Sequence, residues 1–155
     1  MKYPVQIRDI QGSKRLVLPI LSRQPRSFGS FEAIIDTGSP RTILGASDSI
    51  KLSIPFAKYL SDKALSGFGK GNVPTKKIEK FKLLIRANGG TFKELFTDIV
   101  IPDVPSLRNG DNNTFNHALI LPSLIGLDFL EINKLSLFID LNNNLAFLED
   151  SQPKT

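Results

Sequence analysis

Short apolar runs, each cut off by glycine, proline, asparagine or aspartate, fill most of this 155-residue chain. That pattern is the signature of an all-β domain. Candidate strands are Val5–Ile10, Arg15–Ser22, Ser30–Asp36, Ala64–Phe68, Lys77–Arg86, Thr91–Ile101, Leu135–Leu141 and Leu145–Glu149. Phe81, Leu83 and Ile85 alternate with Lys80, Lys82 and Leu84, which predicts a half-buried strand with a solvated face. Asn142-Asn143-Asn144 is expected to turn the final hairpin, because Asn tolerates positive φ at low cost. Two short helices are expected, at Ala46–Leu52 and Asp128–Asn133. Asp128 near the start of the second places a carboxylate where it complements the helix dipole. Ser106–His117 is polar and reads as an exposed loop. The expected organisation is one domain over residues 1–150 and a frayed tail over 151–155.

Composition removes several function classes. The chain is 41% hydrophobic and 23% charged, ordinary values for a globular domain with a sizeable core. No apolar run approaches the length of a membrane span, so no membrane partner is expected. Met1-Lys2-Tyr3-Pro4 has no apolar h-region, which implies no secretory signal. The absence of cysteine excludes disulfides, thiol nucleophiles and Cys-ligated metals, and fits a cytoplasmic setting. The net charge of +5 is dispersed. Its densest stretch, Lys76-Lys77 with Lys80 and Lys82, reads as a solvated strand face, so no nucleic-acid partner is expected.

The single histidine, His117, is too few for a zinc site. A Ser-His-Asp triad would need it, and no Gly-x-Ser-x-Gly elbow supplies the serine. The Asp and Asn residues of Ser106–His117 lack the acidic count and closing Glu of a calcium loop. Gly67, Gly69 and Gly71 lack the ending of a phosphate-binding loop. No metal and no cofactor are expected.

The chemistry concentrates in Ala33-Ile34-Ile35-Asp36-Thr37-Gly38-Ser39-Pro40. An apolar strand runs directly into a carboxylate, and burying an unpaired carboxylate is costly unless the site uses it. Thr42-Ile43-Leu44 follow. Near the C-terminus stands Leu124-Ile125-Gly126-Leu127-Asp128-Phe129-Leu130, and between the two lies Ser66-Gly67-Phe68-Gly69-Lys70-Gly71. Taken singly, each has a plainer reading: turn chemistry at a strand end, a packing glycine and a hairpin tip.

Together, in this order and spacing, the three elements resemble the single-domain retropepsin-like aspartic proteases over roughly residues 15–149. The C-terminal part is more similar to cellular and prokaryotic members than to the shorter viral enzymes. The resemblance implies a closed β-barrel protomer with one or two short helices. Leu127 stands where many viral relatives carry a basic residue, so that residue's ion pair is missing here. The chain is also longer than a viral protomer, so dimerisation through interleaved termini does not simply carry over.

The activity implied is peptide hydrolysis by two facing carboxylates that share a proton. The chain has one Asp-Thr-Gly and no second copy, which implies a homodimer with Asp36 from each protomer. In the family, the Thr37 hydroxyl bonds across the dimer axis, and Gly38 admits a close approach of backbone and substrate. Ser39 is expected to donate to the carboxylate, lowering the pKa values of the pair and making the optimum more acidic than with Ala. Leu124, Ile125 and Gly126 would pack behind the loop. Gly67, Phe68 and Gly69 would form a flap over the substrate, with Phe68 as a subsite contact. Asp128 and Asp140 are read as structural. The implied substrate is a peptide or an unfolded protein segment. The alternative is a non-catalytic, dimeric peptide-binding or scaffolding domain of the same fold.

Overall fold

The structure is a computed structural model that describes residues 1–24, 27–65 and 73–153. Nine strands dominate: β1 (Lys2–Ile10), β2 (Ser13–Gln24), β3 (Ser27–Ile35), β4 (Leu60–Leu65), β5 (Val73–Arg86), β6 (Phe92–Pro102), β7 (Ser123–Ile125), β8 (Leu135–Asp140) and β9 (Leu145–Asp150). Among the described residues, four short α-helices and one 3-10 turn (Phe56–Lys58) accompany them: α1 (Ala46–Lys51), α2 (Val104–Arg108), α3 (Asn112–Ile120) and α4 (Leu127–Ile132). None of them is long and apolar enough to cross a membrane. Of the expected strand Ala64–Phe68, the part from Ser66 onward lies outside the described residues, as do Gly67, Phe68 and Gly69.

The strands form one open, branched sheet, which corrects the expectation of a closed barrel. The path runs β4-β5-β2-β1-β9-β8, with β3 on the other edge of β2, β6 on β5 and β7 on β3. The long strand β2 causes the branching. Its first half pairs with β1 through Ser13–Val17, and Leu21 and Ser22 pair with β5 on that same edge. Pro19, which has no N–H to give, stands between the two pairings. The two neighbours therefore diverge into separate branches. The β8–β9 hairpin extends the sheet outward from β1, and no ladder among the described residues joins it to β4.

Alternation sorts the faces. Phe81, Leu83 and Ile85 of β5 are all buried, as their spacing requires. They join Leu18, Ile20, Phe31, Ala33, Ile35, Ile125 and Phe129 in the main core. Burying a side chain such as Phe81 or Phe129 contributes about 1.5–3 kcal/mol. A smaller cluster of Ala46, Val73, Val104, Leu107 and Ala118 sits beneath α2 and α3.

Those two helices replace the exposed loop expected at Ser106–His117. The polar residues that read as loop are helix caps. Asp103 accepts from the Ser106 N–H, and Pro105 stands in the first turn of α2, where a missing N–H costs nothing. Asp111 accepts from the Asn113 N–H and the Thr114 hydroxyl to start α3. At the last hairpin, Asn144 takes φ 52° and Asp140 accepts from the Asn143 backbone and side chain. Beyond the hairpin, the Ser151 N–H donates to Lys134 O, tying down the first residue of the expected frayed tail.

Candidate active site

Asp36 stands where β3 ends. β3 runs parallel to β7, with Ile34 beside Leu124 and Ile35 beside Ile125. The Asp36 N–H continues that ladder by donating to Ile125 O at 2.9 Å. The chain then crosses over and returns on the far side of β7. There Ile43 N–H donates to Leu124 O at 2.8 Å, and Leu124 N–H donates back to Ile43 O at 2.8 Å. β7 is thus clamped between the two arms of one loop, residues 36–43. Val100 N–H donates to Thr42 O at 3.0 Å, and Leu44 N–H donates to Val100 O at 3.0 Å, which anchors the returning arm to β6.

The loop tip is built around the carboxylate. Gly38 N–H donates to Asp36 Oδ1 at 2.9 Å, and Ser39 N–H donates to Asp36 O at 3.1 Å. A Cβ on Gly38 would lie 3.2 Å from Asp36 Oδ1, so glycine here lets the amide approach the carboxylate. Asp36 is half-buried, while Thr37 and Gly38 are exposed at the tip. Ser39 departs from expectation. Its hydroxyl donates to Arg41 O at 2.7 Å, bracing the turn instead of the carboxylate.

Leu124, Ile125 and Gly126 lie directly behind this loop. Leu127 N–H donates to Ser39 O at 2.9 Å, and Ile125 is fully buried. A Cβ on Gly126 would fall 2.4 Å from Arg41 O and 2.7 Å from Ser39 O. Only glycine admits so close a crossing of two backbones.

Two supports were not legible in the sequence. Thr42 is buried; its hydroxyl donates to Asp128 Oδ1 at 2.7 Å and accepts from Gly126 N–H at 3.1 Å. Asp128 Oδ2 also accepts from Thr42 N–H at 3.1 Å. Asp128 thus begins α4, as its position implied, while also holding the returning arm of the loop. The second support is Arg41, which pairs with Asp62 of β4 at 2.6 Å. The Arg41 guanidinium, helped by the Lys63 N–H, holds the Asp62 carboxyl below the usual carboxylate range. No spacing rule joins residues so far apart. The nearest signal was the carboxylate two residues after Gly126.

In front of the loop lies an open cleft of about 740 Å³. It is lined by Asp36 with Ile34 and Ile35, by Ile120, Leu121, Pro122 and Leu124, and by the β1–β2 hairpin, which includes Lys14 and Arg15. Among the described residues, Asp36 is its single acidic lining residue. His117 is exposed on α3 and does not line the cleft. The arrangement offers one carboxylate, fixed by a backbone amide, at the edge of a mainly apolar cleft.

Among solved structures, the chain is similar to a retropepsin-like aspartic protease from Rickettsia conorii, with a TM-score of 0.55 over 96% of this chain and 89% of that one. Sequence identity is 16%, so the likeness shows the fold alone. No protein-family model and no curated protein matches the chain in sequence.

Proposed function

We propose that the chain is an aspartic endopeptidase that works as a homodimer, with Asp36 of each protomer completing the catalytic pair. The observation that carries this reading is the half-buried Asp36 carboxylate, held by Gly38 N–H at the tip of a braced loop and lining an open cleft. A carboxylate with no further role would not require a glycine at 38 and a backbone crossing at Gly126 to present it.

Two such carboxylates close together cannot both ionise, so the pair carries one proton. The ionised Asp36 removes a proton from a water held between them, and the water oxygen attacks the peptide carbonyl carbon. The protonated Asp36 delivers its proton to the carbonyl oxygen. As the C–N bond of the resulting gem-diol breaks, one hydroxyl gives its proton to the ionised Asp36 and the departing nitrogen takes up the proton of the other Asp36. Thr37, exposed at the tip, is proposed to fix one loop against its copy. The cleft walls accept an extended, unfolded segment as an added strand. Gly67, Phe68 and Gly69 are proposed to cover it. No metal or cofactor enters this scheme.

Cleavage of an unfolded protein from acidic to neutral pH, compared between wild type and Asp36→Asn, tests the proposal. Cleavage that vanishes in the variant supports it. A folded, dimeric wild type that binds peptide but never cleaves would instead favour the non-catalytic peptide-binding domain. Equal cleavage by both proteins would overturn the assignment of Asp36.

A further inference from the structure

The cleft lining contributed by the β1–β2 hairpin differs in kind from that contributed by residues 120–122 and 124. Ile120, Leu121, Pro122 and Leu124 are apolar, whereas the hairpin supplies Lys14 and Arg15. Strand alternation puts Arg15 on the same face as Val17 of β2, and Val17 stands opposite Ile34 in register. Ile34 and Asp36 share a face of β3 by the same rule. Arg15 and Asp36 therefore belong to one surface, and both line the cleft.

The charges on that hairpin are unequally satisfied. Arg8, opposite Arg15 in register, pairs with Glu32. Among the described residues, neither Lys14 nor Arg15 makes an ion pair. Both are exposed. Among the described residues, no other acidic residue lines the cleft beside Asp36, and the proposed pair would carry one negative charge across two such clefts. The cleft thus holds an apolar wall and two cations without partners, in a chain of net charge +5.

Resting on the proteolytic reading of Asp36, we propose that Arg15 forms a subsite for an acidic side chain. The preferred substrate class is an unfolded segment with apolar residues at the scissile bond and an Asp or Glu close by. A planar guanidinium binds a carboxylate through paired N–H donors, which gives orientation as well as attraction. The apolar wall takes the neighbouring side chain.

The test uses two matched peptide sets with an apolar pair at the centre. In one, a single Glu is walked through the positions flanking the pair; in the other, Gln replaces it. Wild type should show a kcat/KM about tenfold higher for Glu at one of those positions, the size of one charge-assisted hydrogen bond. In Arg15→Gln the ratio should fall to about one, and in Arg15→Glu the preference should turn towards a Lys-bearing peptide. Because each ratio is taken within one protein, loss of folded material does not alter it. A wild-type ratio of one at every position overturns the subsite, as does a preference that survives Arg15→Gln. Binding of both sets to Asp36→Asn separates the two readings. Tighter binding of the Glu set with no turnover by wild type would keep the subsite and overturn the peptidase; turnover without any Glu preference would do the reverse.

Discussion

Thr42 Oγ1 and Asp128 Oδ1 lie 2.7 Å apart across 86 residues of chain, and their hydrogen bond joins the loop that carries Asp36 to the helix that follows Gly126. The same hydroxyl satisfies the buried Gly126 N–H. One side chain therefore serves both halves of the site's support.

Replacing Thr42 by Val keeps the shape and removes both bonds. It leaves a buried N–H without an acceptor and should cost about 1–3 kcal/mol. The urea midpoint should fall with an unchanged m-value. Thr42→Ser should restore most of the loss. An unchanged midpoint in Thr42→Val would show that the bond contributes nothing.

Gly126→Ala should be more severe than its single added methyl suggests. Both atoms closest to the new Cβ belong to the Arg41 backbone, so no side chain can swing aside. Overpacking of this kind costs about 1–3 kcal/mol or more. Thermal unfolding and proteolytic rate should fall together. A variant of normal stability and activity would mean that the loop moves freely.

Ser39→Ala should leave the pH–rate profile unmoved. The Ser39 hydroxyl donates to Arg41 O, so its loss does not alter the hydrogen bonds to the Asp36 carboxylate. The expected cost is in loop stability, about 1 kcal/mol. A shift of the acidic limb towards higher pH on substitution would return the hydroxyl to the role expected from sequence.

At the far end of the sheet, Asp150 accepts from Lys93 and from the Tyr3 hydroxyl, tying β9 to β6 and β1. The bond from Lys93 holds the Asp150 carboxyl below its ordinary range. Burial lowers the Lys93 pKa, but the bond to Asp150 and the charges around it outweigh that effect and leave it raised. A depressed carboxyl pKa stabilises the fold above the unfolded value of about 3.9, and the gain disappears as pH falls through the folded value. The raised Lys93 pKa acts in the opposite limb: its gain is complete below about 10.4 and is lost as pH rises through the folded value. Asp150→Asn should therefore be less stable than wild type near neutrality, by under about 1 kcal/mol for so exposed a pair. The two proteins should converge as pH drops below about 4. Urea midpoints at pH 7 and pH 3 provide the measurement, and an equal difference at both would refute the assignment.

The sequence was most legible where local chemistry decides. The alternation of Phe81, Leu83 and Ile85 located a strand, because a pleat repeats every two residues. The Asp36 loop was visible for a similar reason, since its turn and its crossing need small residues at fixed places. α2 and α3 were missed because Asp103 and Asp111 act as caps at helix starts, and the same residues serve equally well in loops. The open sheet was missed because branching depends on which stretch of β2 each neighbour occupies, and no single strand encodes that. Arg41–Asp62 and Thr42–Asp128 were invisible because each exists only once the chain has folded back on itself.

One protomer presents Asp36 half-buried in the lining of an open cleft, with Thr37 exposed beside it. If two such tips must meet before water can be activated, the amount of protein becomes a control on the chemistry. At low occupancy the rate would rise with the square of the protomer concentration, so halving the pool would quarter the turnover. On the proposed reading, dilution alone would then silence the activity, with no inhibitor, propeptide or modification.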